Sequence, residues 1–292
     1  MPPGPVRDRE GSCFGSCCGS FFLFPRQALL SRWQGRDPET VLILLTNDDG
    51  IYSPGLQTLT RALSRLGEVY TVAPDRERSA TSHALTLHRP LLVEEILPRH
   101  FSVNGTPTDC VNLGVHGILP RVPDLVVAGI NKGGNLGDDV TYSGTVAAAM
   151  EGCLLGVPAF AISLVAEGNF LFQVAADVGV RIARWILAHG LPRDTLLNVN
   201  VPNLPESEIR GVRLTHLGRR IFRRENLKAQ RDPRGRTFYW IGANSRSWQH
   251  QAGSDFQAVT EGWVSVTPLH LDLTHYETLG SLKPLESLSV QG

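Results

Sequence analysis

The sequence carries no net charge: 28 Lys and Arg offset 28 Asp and Glu. Coating a nucleic-acid backbone needs a broad excess of positive charge, so no nucleic-acid partner is expected, and any anion must be recognised locally. A long apolar run is also missing. The nearest candidate, Phe21–Phe24, falls far short of the roughly 20 residues that cross a bilayer, so no membrane partner is expected. Cysteine is sparse and irregular. Of five, Cys13, Cys17 and Cys18 lie in the first 40 residues, while Cys110 and Cys153 are isolated. Such an odd, scattered set argues for a reducing compartment, here the cytoplasm, and no His or Cys pair at zinc spacing follows the first three. The 29 Gly and 19 Pro show no collagen-like period, and no internal repeat is present. What remains, with 42% hydrophobic residues over 292 positions, is a turn-rich globular chain of one or two domains.

Residues 1–40 mix Pro, Gly, Arg and Ser without periodicity and read as a disordered leader. Val41–Leu45 is then an unbroken apolar run ending at Thr46-Asn47-Asp48-Asp49-Gly50, a buried strand that empties into a polar turn. Leu56, Leu59, Leu63 and Leu66 recur at helical spacing before Gly67, and Val69–Ala73 is a second strand. Strand, helix, strand predicts an α/β fold with a mainly parallel sheet. The rhythm returns at Asp124–Ile130, followed by a Gly- and Asn-rich loop, a helix beginning near Thr145 with Ser143 or Thr145 as its cap, and a strand at Ala159–Ser163. A helix over Ala175–His189 and a strand over Leu196–Val201 complete the pattern. From about residue 205 to 262 the texture changes to short β-like pieces, with Arg231–Gly235 as the turn of a hairpin. Trp263–Leu269 alternates and returns to the sheet, placing the α/β domain at 41–274 and a tail at 275–292, loose from Lys283 onward.

In an open parallel sheet the binding crevice lies beyond the carboxyl ends of the strands. Three loops reach it. Asn47-Asp48-Asp49-Gly50 brings two adjacent carboxylates whose repulsion a divalent cation relieves, although paired Asp also serve as turn formers. Asp75–Ser79 brings a charged, hydroxyl-rich loop that continues through Thr81, Ser82 and His83. The third runs from Gly129 through Asn131, Asn135 and Asp139 to Tyr142-Ser143-Gly144-Thr145, where glycines admit close backbone approach and a helix start offers free N–H groups to an anion. Oxygen donors of this kind suit Mg²⁺, Mn²⁺ or Ca²⁺ rather than zinc. The chemistry that follows is hydrolysis of a phosphate monoester. None of the histidines, His83, His250 and His270 included, has metal-pair spacing. A cation-bound water with Asp48 as its proton acceptor is the preferred nucleophile, and a covalent aspartyl-phosphate on Asp48 is the alternative.

Several long motifs occur in one order: Leu44–Gly50, Pro74–Ser79, Gly105–Cys110, Gly129–Asn135 and Tyr142–Gly152. With Asp232–Gly235 and Gly262–Asp272, they make the chain from Val41 to about Thr274 resemble the SurE family of survival-protein nucleotidases. The resemblance implies a Rossmann-like three-layer domain with a C-terminal β-hairpin extension used in oligomerisation. It also implies a cytoplasmic homodimer or homotetramer that hydrolyses nucleoside 5′- and 3′-monophosphates, with short polyphosphate as a further substrate. One divalent ion per subunit, Mg²⁺ or Mn²⁺, would fall to Asp48, Asp49, Ser79 and Asn131, with Asp48 and Asp49 the catalytic pair. Substrate would meet Asn47, Asn135, Ser143, Gly144 and Thr145. The leader has no counterpart in the family, whose members begin near Val41, which makes Val41 a candidate start of translation. Lys132 occupies a variable part of its loop and reads as a solvated lysine. A non-catalytic nucleotide- or phosphate-binding module of the same fold is the alternative function, and a metal-dependent glycosyltransferase, lacking a visible acceptor site, is a weaker one.

Overall fold

A computed structural model describes residues 41–221, 227–241 and 248–288. The expected leader, 1–40, lies outside them. Strand β1 (Leu42–Thr46) is buried along its whole length because its side chains serve two layers. Ile43 and Leu45 pack into one apolar cluster, Leu42 and Leu44 into another, so the strand reads as a continuous apolar run. Ser53 caps α1 (Pro54–Leu63), and Pro54 at the first helical position forfeits no hydrogen bond.

The chain continues through β2 (Glu68–Pro74), an edge hairpin of β3 (Val93–Leu97) and β4 (His100–Val103), and α2 (Pro107–Leu113). Next come β5 (Leu125–Lys132), a 3₁₀ turn at Gly137–Tyr142, α3 (Gly144–Leu154), β6 (Ala159–Val165), α4 (Phe172–His189) and β7 (Thr195–Pro202). The last part holds β8 (Val212–Leu214), the hairpin β9 (Leu227–Arg231) and β10 (Thr237–Ile241), α5 (Asp255–Thr260), β11 (Val264–His270) and α6 (Tyr276–Leu282).

Nine strands form one sheet in the order β3-β4-β2-β1-β5-β6-β7-β11-β8. The six from β4 to β7 run parallel, and β3 and β11 join them antiparallel. Leu56, Leu59 and Leu63 of α1 and Ala175, Ala183 and Ile186 of α4 cover one face. Cys110 and Val111 of α2 and Val146 and Ala149 of α3 cover the other. This is the three-layer α/β architecture expected, and Trp263–Leu269 does return to the sheet as β11.

Two pieces escaped the sequence reading. The β3–β4 hairpin has an exposed edge strand, β3, and a half-buried inner one, β4, without a continuous apolar run. α2 announces itself only locally: Thr106 and Asp109 cap each other's backbone reciprocally and Pro107 opens the helix. The hairpin expected around Arg231–Gly235 is present as a separate two-stranded sheet, its turn held by Asp232, which accepts from the amides of Arg234 and Arg236 at 2.9 and 2.8 Å. Within the stretch read as a tail, residues 276–287 form α6 and a 3₁₀ turn at Lys283–Ser287.

Candidate active site

Strand β1 lies between β2 and β5, so the chain leaves it toward one side of the sheet and later resumes on the other. Loops leaving the carboxyl ends of two strands at such a reversal part and leave a crevice. The loop after β1 carries Asp48 and Asp49; the end of β5 carries Asn131 and Lys132.

Asp48 is buried, with 5% of its surface exposed. Its Oδ1 accepts a short hydrogen bond from the Thr145 hydroxyl of α3, and its carbonyl accepts from the Arg78 amide at 2.7 Å. The sequence left Ser143 and Thr145 as rival caps for this helix. Ser143 takes the role, accepting from the Val146 amide at 3.1 Å, and Thr145 is thereby free to hold Asp48. A Cβ on Gly144 would lie 3.0 Å from Asp48 Cβ and 3.1 Å from both Asp48 Oδ2 and Thr81 Oγ1. Only glycine fits beside Oδ2 at this helix N-terminus. Burial pushes the Asp48 carboxyl up to about 6, the Thr145 hydrogen bond opposes this and the Asp49 charge adds to it. Asp49 is half-buried and accepts from the Lys132 amide at 3.3 Å. Burial raises its carboxyl as well, with the Lys132 charge opposing and Glu77 adding. The Lys132 side chain is exposed, but its charge is felt at Asp49.

The remaining candidates divide. Asn131 donates its amide to the Gly133 carbonyl at 2.9 Å, turning the loop immediately beyond β5. Ser79 is exposed and donates to Glu77 Oε1 at 2.6 Å, while Glu77 is near enough to bear on Asp49. Asn47 and Asn135 face inward. Asn47 donates to the Gly50 carbonyl and Ser53 Oγ, at 3.2 and 2.7 Å, and its buried Oδ1 has no partner among the described residues. Asn135 donates its side-chain amide to Ser163 Oγ at 2.8 Å, its backbone amide to Asn200 Oδ1 at 2.9 Å, and its carbonyl accepts from Asn198 and Asn200. Both asparagines shape the site's loops with the groups expected to meet substrate.

The family model for survival protein SurE matches residues 43–224. A 5′-nucleotidase SurE from Geobacter sulfurreducens is 54% identical over 242 residues, covering 82% of this chain and 92% of that protein. Its counterpart from Pelobacter propionicus is 56% identical over 238 residues, 81% of this chain and 96% of the relative. The chain belongs to the SurE family. The crystal structure of the SurE protein from Aquifex aeolicus has the same fold, with a TM-score of 0.78 at 48% identity over 84% of this chain and 99% of that one.

In this SurE-family chain the residue types suit a hard divalent cation: two carboxylates after β1, a hydroxyl on the loop after β2 and an amide oxygen near the end of β5. No group of three or more His, Cys, Asp or Glu able to hold a metal occurs among the described residues. Around Gly144 the chain is close-packed, so a side chain there would press on Asp48 Oδ2 and Thr81 Oγ1.

Sequence reasoning missed the partners that fix these loops. The loop after β2 is pinned where Ser82 bonds the carbonyls of Thr141 and Tyr142, and where His83 Nε2 meets Glu151 Oε2 at 2.8 Å. Glu151, buried on α3, also accepts from Asn112 at 2.9 Å. The His83 hydrogen bond chiefly lowers the Glu151 carboxyl from 4.5. A carboxylate so lowered stabilises the fold above its unfolded value of 4.5, and that contribution is lost as pH falls through the folded value. Glu151→Gln is therefore expected to lower Tm at pH 7 by about 3–8 °C, the cost of a buried charged hydrogen bond, and to match the parent once pH is well below 4.5. Thermal scans at both pH values check it.

Proposed function

We propose that this chain is a divalent-metal-dependent phosphatase that releases inorganic phosphate from nucleoside 5′- and 3′-monophosphates. The observation that carries the reading is Asp48, a buried carboxylate with one oxygen held by Thr145 and the other beside Gly144 at the start of α3. The proteins of this name from Geobacter and Pelobacter support it from outside.

Asp48, Asp49, Ser79 and Asn131 would hold the ion, Mg²⁺ or Mn²⁺, one per subunit. When bound it polarises the phosphoryl oxygens and offsets their charge. The chain supplies the rest. Ser143 has taken up the Val146 amide and the Thr145 amide bears on the Asp48 carboxylate, which leaves the Gly144 amide to donate to a phosphoryl oxygen, reinforced by the positive end of α3. Thr145, by donating to Oδ1, leaves Asp48 Oδ2 as the oxygen that takes a proton from the water attacking phosphorus. The P–O ester bond then breaks, the nucleoside oxygen leaves and takes a proton from solvent, Asp48 gives its proton back to solvent, and phosphate and nucleoside are released. Asn47 and Asn135 serve the substrate by shaping the two loops.

A non-catalytic binding module of the same fold would have no use for the paired carboxylates, and both are present. We place the protein in the cytoplasm, since Cys110 and Cys153 are free and buried, and no helix among the described residues is long and apolar enough to cross a membrane. The assembly is a homodimer or homotetramer. β10 exposes Phe238, Tyr239, Trp240 and Ile241, and consecutive strand residues point to opposite faces, so the hairpin cannot bury both faces on its own chain. Light scattering at micromolar concentration should give at least twice the 31.9 kDa chain mass.

The function is tested by phosphate release from a panel of 5′- and 3′-monophosphates with Mn²⁺, Mg²⁺ or EDTA. EDTA should reduce turnover at least about 100-fold. Unchanged turnover in EDTA, or none on any nucleotide with either ion, overturns the reading.

A further inference from the structure

Asp255 is a carboxylate with none of its surface exposed, and the reaction as proposed does not use it. It sits at the start of α5, 118 residues from one of its partners. Oδ2 accepts the Gly137 amide at 2.7 Å; Oδ1 accepts the Gly218 amide at 2.9 Å and its own neighbour Phe256 at 2.8 Å. One buried carboxylate thus ties the turn that leads into α3 to the strand-like segment that leads out to the β9–β10 hairpin.

The same two segments meet again on either side. Arg220 donates its amide to Asp138 Oδ2 at 2.8 Å and its guanidinium to Asp139 Oδ1 at 2.6 Å. Trp248 stacks on Phe256, 5.1 Å between ring centres, and its ring edge comes within 2.6 Å of where a Gly137 Cβ would stand. The outgoing and returning chains are bridged at Arg220–Trp248 and at His216–Ser254. The root of the hairpin arm is therefore a clamp on residues 137–139. The earlier part of the loop has a separate anchor, since Asn135 is fixed by Asn198 and Asn200 of β7.

We infer that Asp255 is a positioning residue: through Gly137 it holds the 3₁₀ turn, and so the Ser143-Gly144-Thr145 start of α3, in register for the phosphoryl group. The inference rests on the function proposed above. It assigns the arm's root to phosphate recognition ahead of the cation, because Asp48 and Asp49 follow β1, Asn131 lies near the end of β5 upstream of the Asn135 anchor, and Asp48 meets this turn only through Thr145. A carboxylate is required, since three N–H donors converge on it and an Asn would turn its own N–H toward one of them.

Two variants test this, Asp255→Asn and Arg220→Met, each in the full chain. Binding of inorganic phosphate in the presence of Mn²⁺ and binding of Mn²⁺ alone are measured by calorimetry, alongside kcat and KM on a nucleoside monophosphate. Asp255→Asn should raise KM and the phosphate Kd about tenfold, with kcat within about threefold and the Mn²⁺ Kd within about twofold of the parent. Arg220→Met should shift the same two quantities in the same direction by less. A purely structural role would lower Tm and leave the split between KM and kcat unmoved. Unchanged phosphate affinity in a folded Asp255→Asn, or loss of Mn²⁺ and phosphate in equal measure, overturns the inference. Should Asp255→Asn fail to fold, Arg220→Met decides it on the same criteria. A parent chain that binds phosphate but cleaves no nucleotide would defeat the proposed function alone, and the phosphate titrations would still decide the role of Asp255.

Discussion

Asp48→Asn is expected to yield a folded protein that has lost about 1,000-fold or more in kcat/KM. Asn has the same shape and its oxygen still accepts from Thr145 Oγ1, so the packing under α3 survives. What disappears is one of two negative charges and the oxygen that receives the proton. The same substitution should act oppositely on stability when no cation is present. In the metal-free fold Asp48 titrates near 6 instead of 3.8, chiefly because burial disfavours its charged form. An acid raised in this way costs stability above its folded value, and the cost fades as pH falls from 6 toward 3.8. That displacement corresponds to on the order of 3 kcal/mol at pH 7. In EDTA at pH 7 the variant should therefore melt about 5 °C or more above the parent, and the gap should close near pH 4. Adding Mn²⁺ should stabilise the parent and do little for the variant. Parent-like turnover, or an Mn²⁺-induced rise in Tm equal to the parent's, would remove Asp48 from the site.

The sheet was legible because its strands are buried on both faces. Residues such as Leu42–Leu45 cannot be polar anywhere when Leu42 and Leu44 serve one layer and Ile43 and Leu45 the other. The paired Asp after β1 and the Ser-Gly-Thr start of α3 were equally legible, being short, local and placed where strands end. The edge hairpin β3–β4 was not, since half-exposed strands need neighbours to reveal which face is inside. Which of Ser143 and Thr145 caps α3 also lay beyond local reasoning, because the answer depends on Asp48, 97 residues from Thr145. Asn135 illustrates the limit from the other side. Its residue type and loop suggested substrate contact, and only the arrival of Asn198 and Asn200 from β7 reveals how its polar groups are engaged. Asp255 gave no signal at all, for a single Asp at a helix start is an ordinary first-turn residue until Gly137 and Gly218 are brought to it.

The largest loss of stability is expected from a single methyl group at Gly129. This residue lies in β5 two positions before Asn131, at φ +144°, a conformation that side chains other than glycine's rarely adopt. A Cβ there would stand 2.3 Å from the Ile162 carbonyl oxygen and 2.7 Å from Ile162 Cγ2. Neither strand can retreat: β5 is held between β1 and β6, and β6 between β5 and β7. The pairing of β5 with β6 already shifts register between Gly129 and Asn131, so the close approach coincides with the point where the strand releases its site residue. Gly129→Ala should cost about 4 kcal/mol or more and lower Tm by about 10 °C or more, combining backbone strain with overlap against another strand. Gly133→Ala separates the two contributions. Gly133 is also at positive φ, +102°, but a Cβ there would meet nothing within 4 Å. Only strain remains, about 1–2 kcal/mol, and a drop in Tm less than half as large. Equal losses at the two positions would mean that backbone conformation alone sets the cost. A larger loss at Gly129, with the metal-free protein as affected as the Mn²⁺-loaded one, would place it in the packing of β5 on β6.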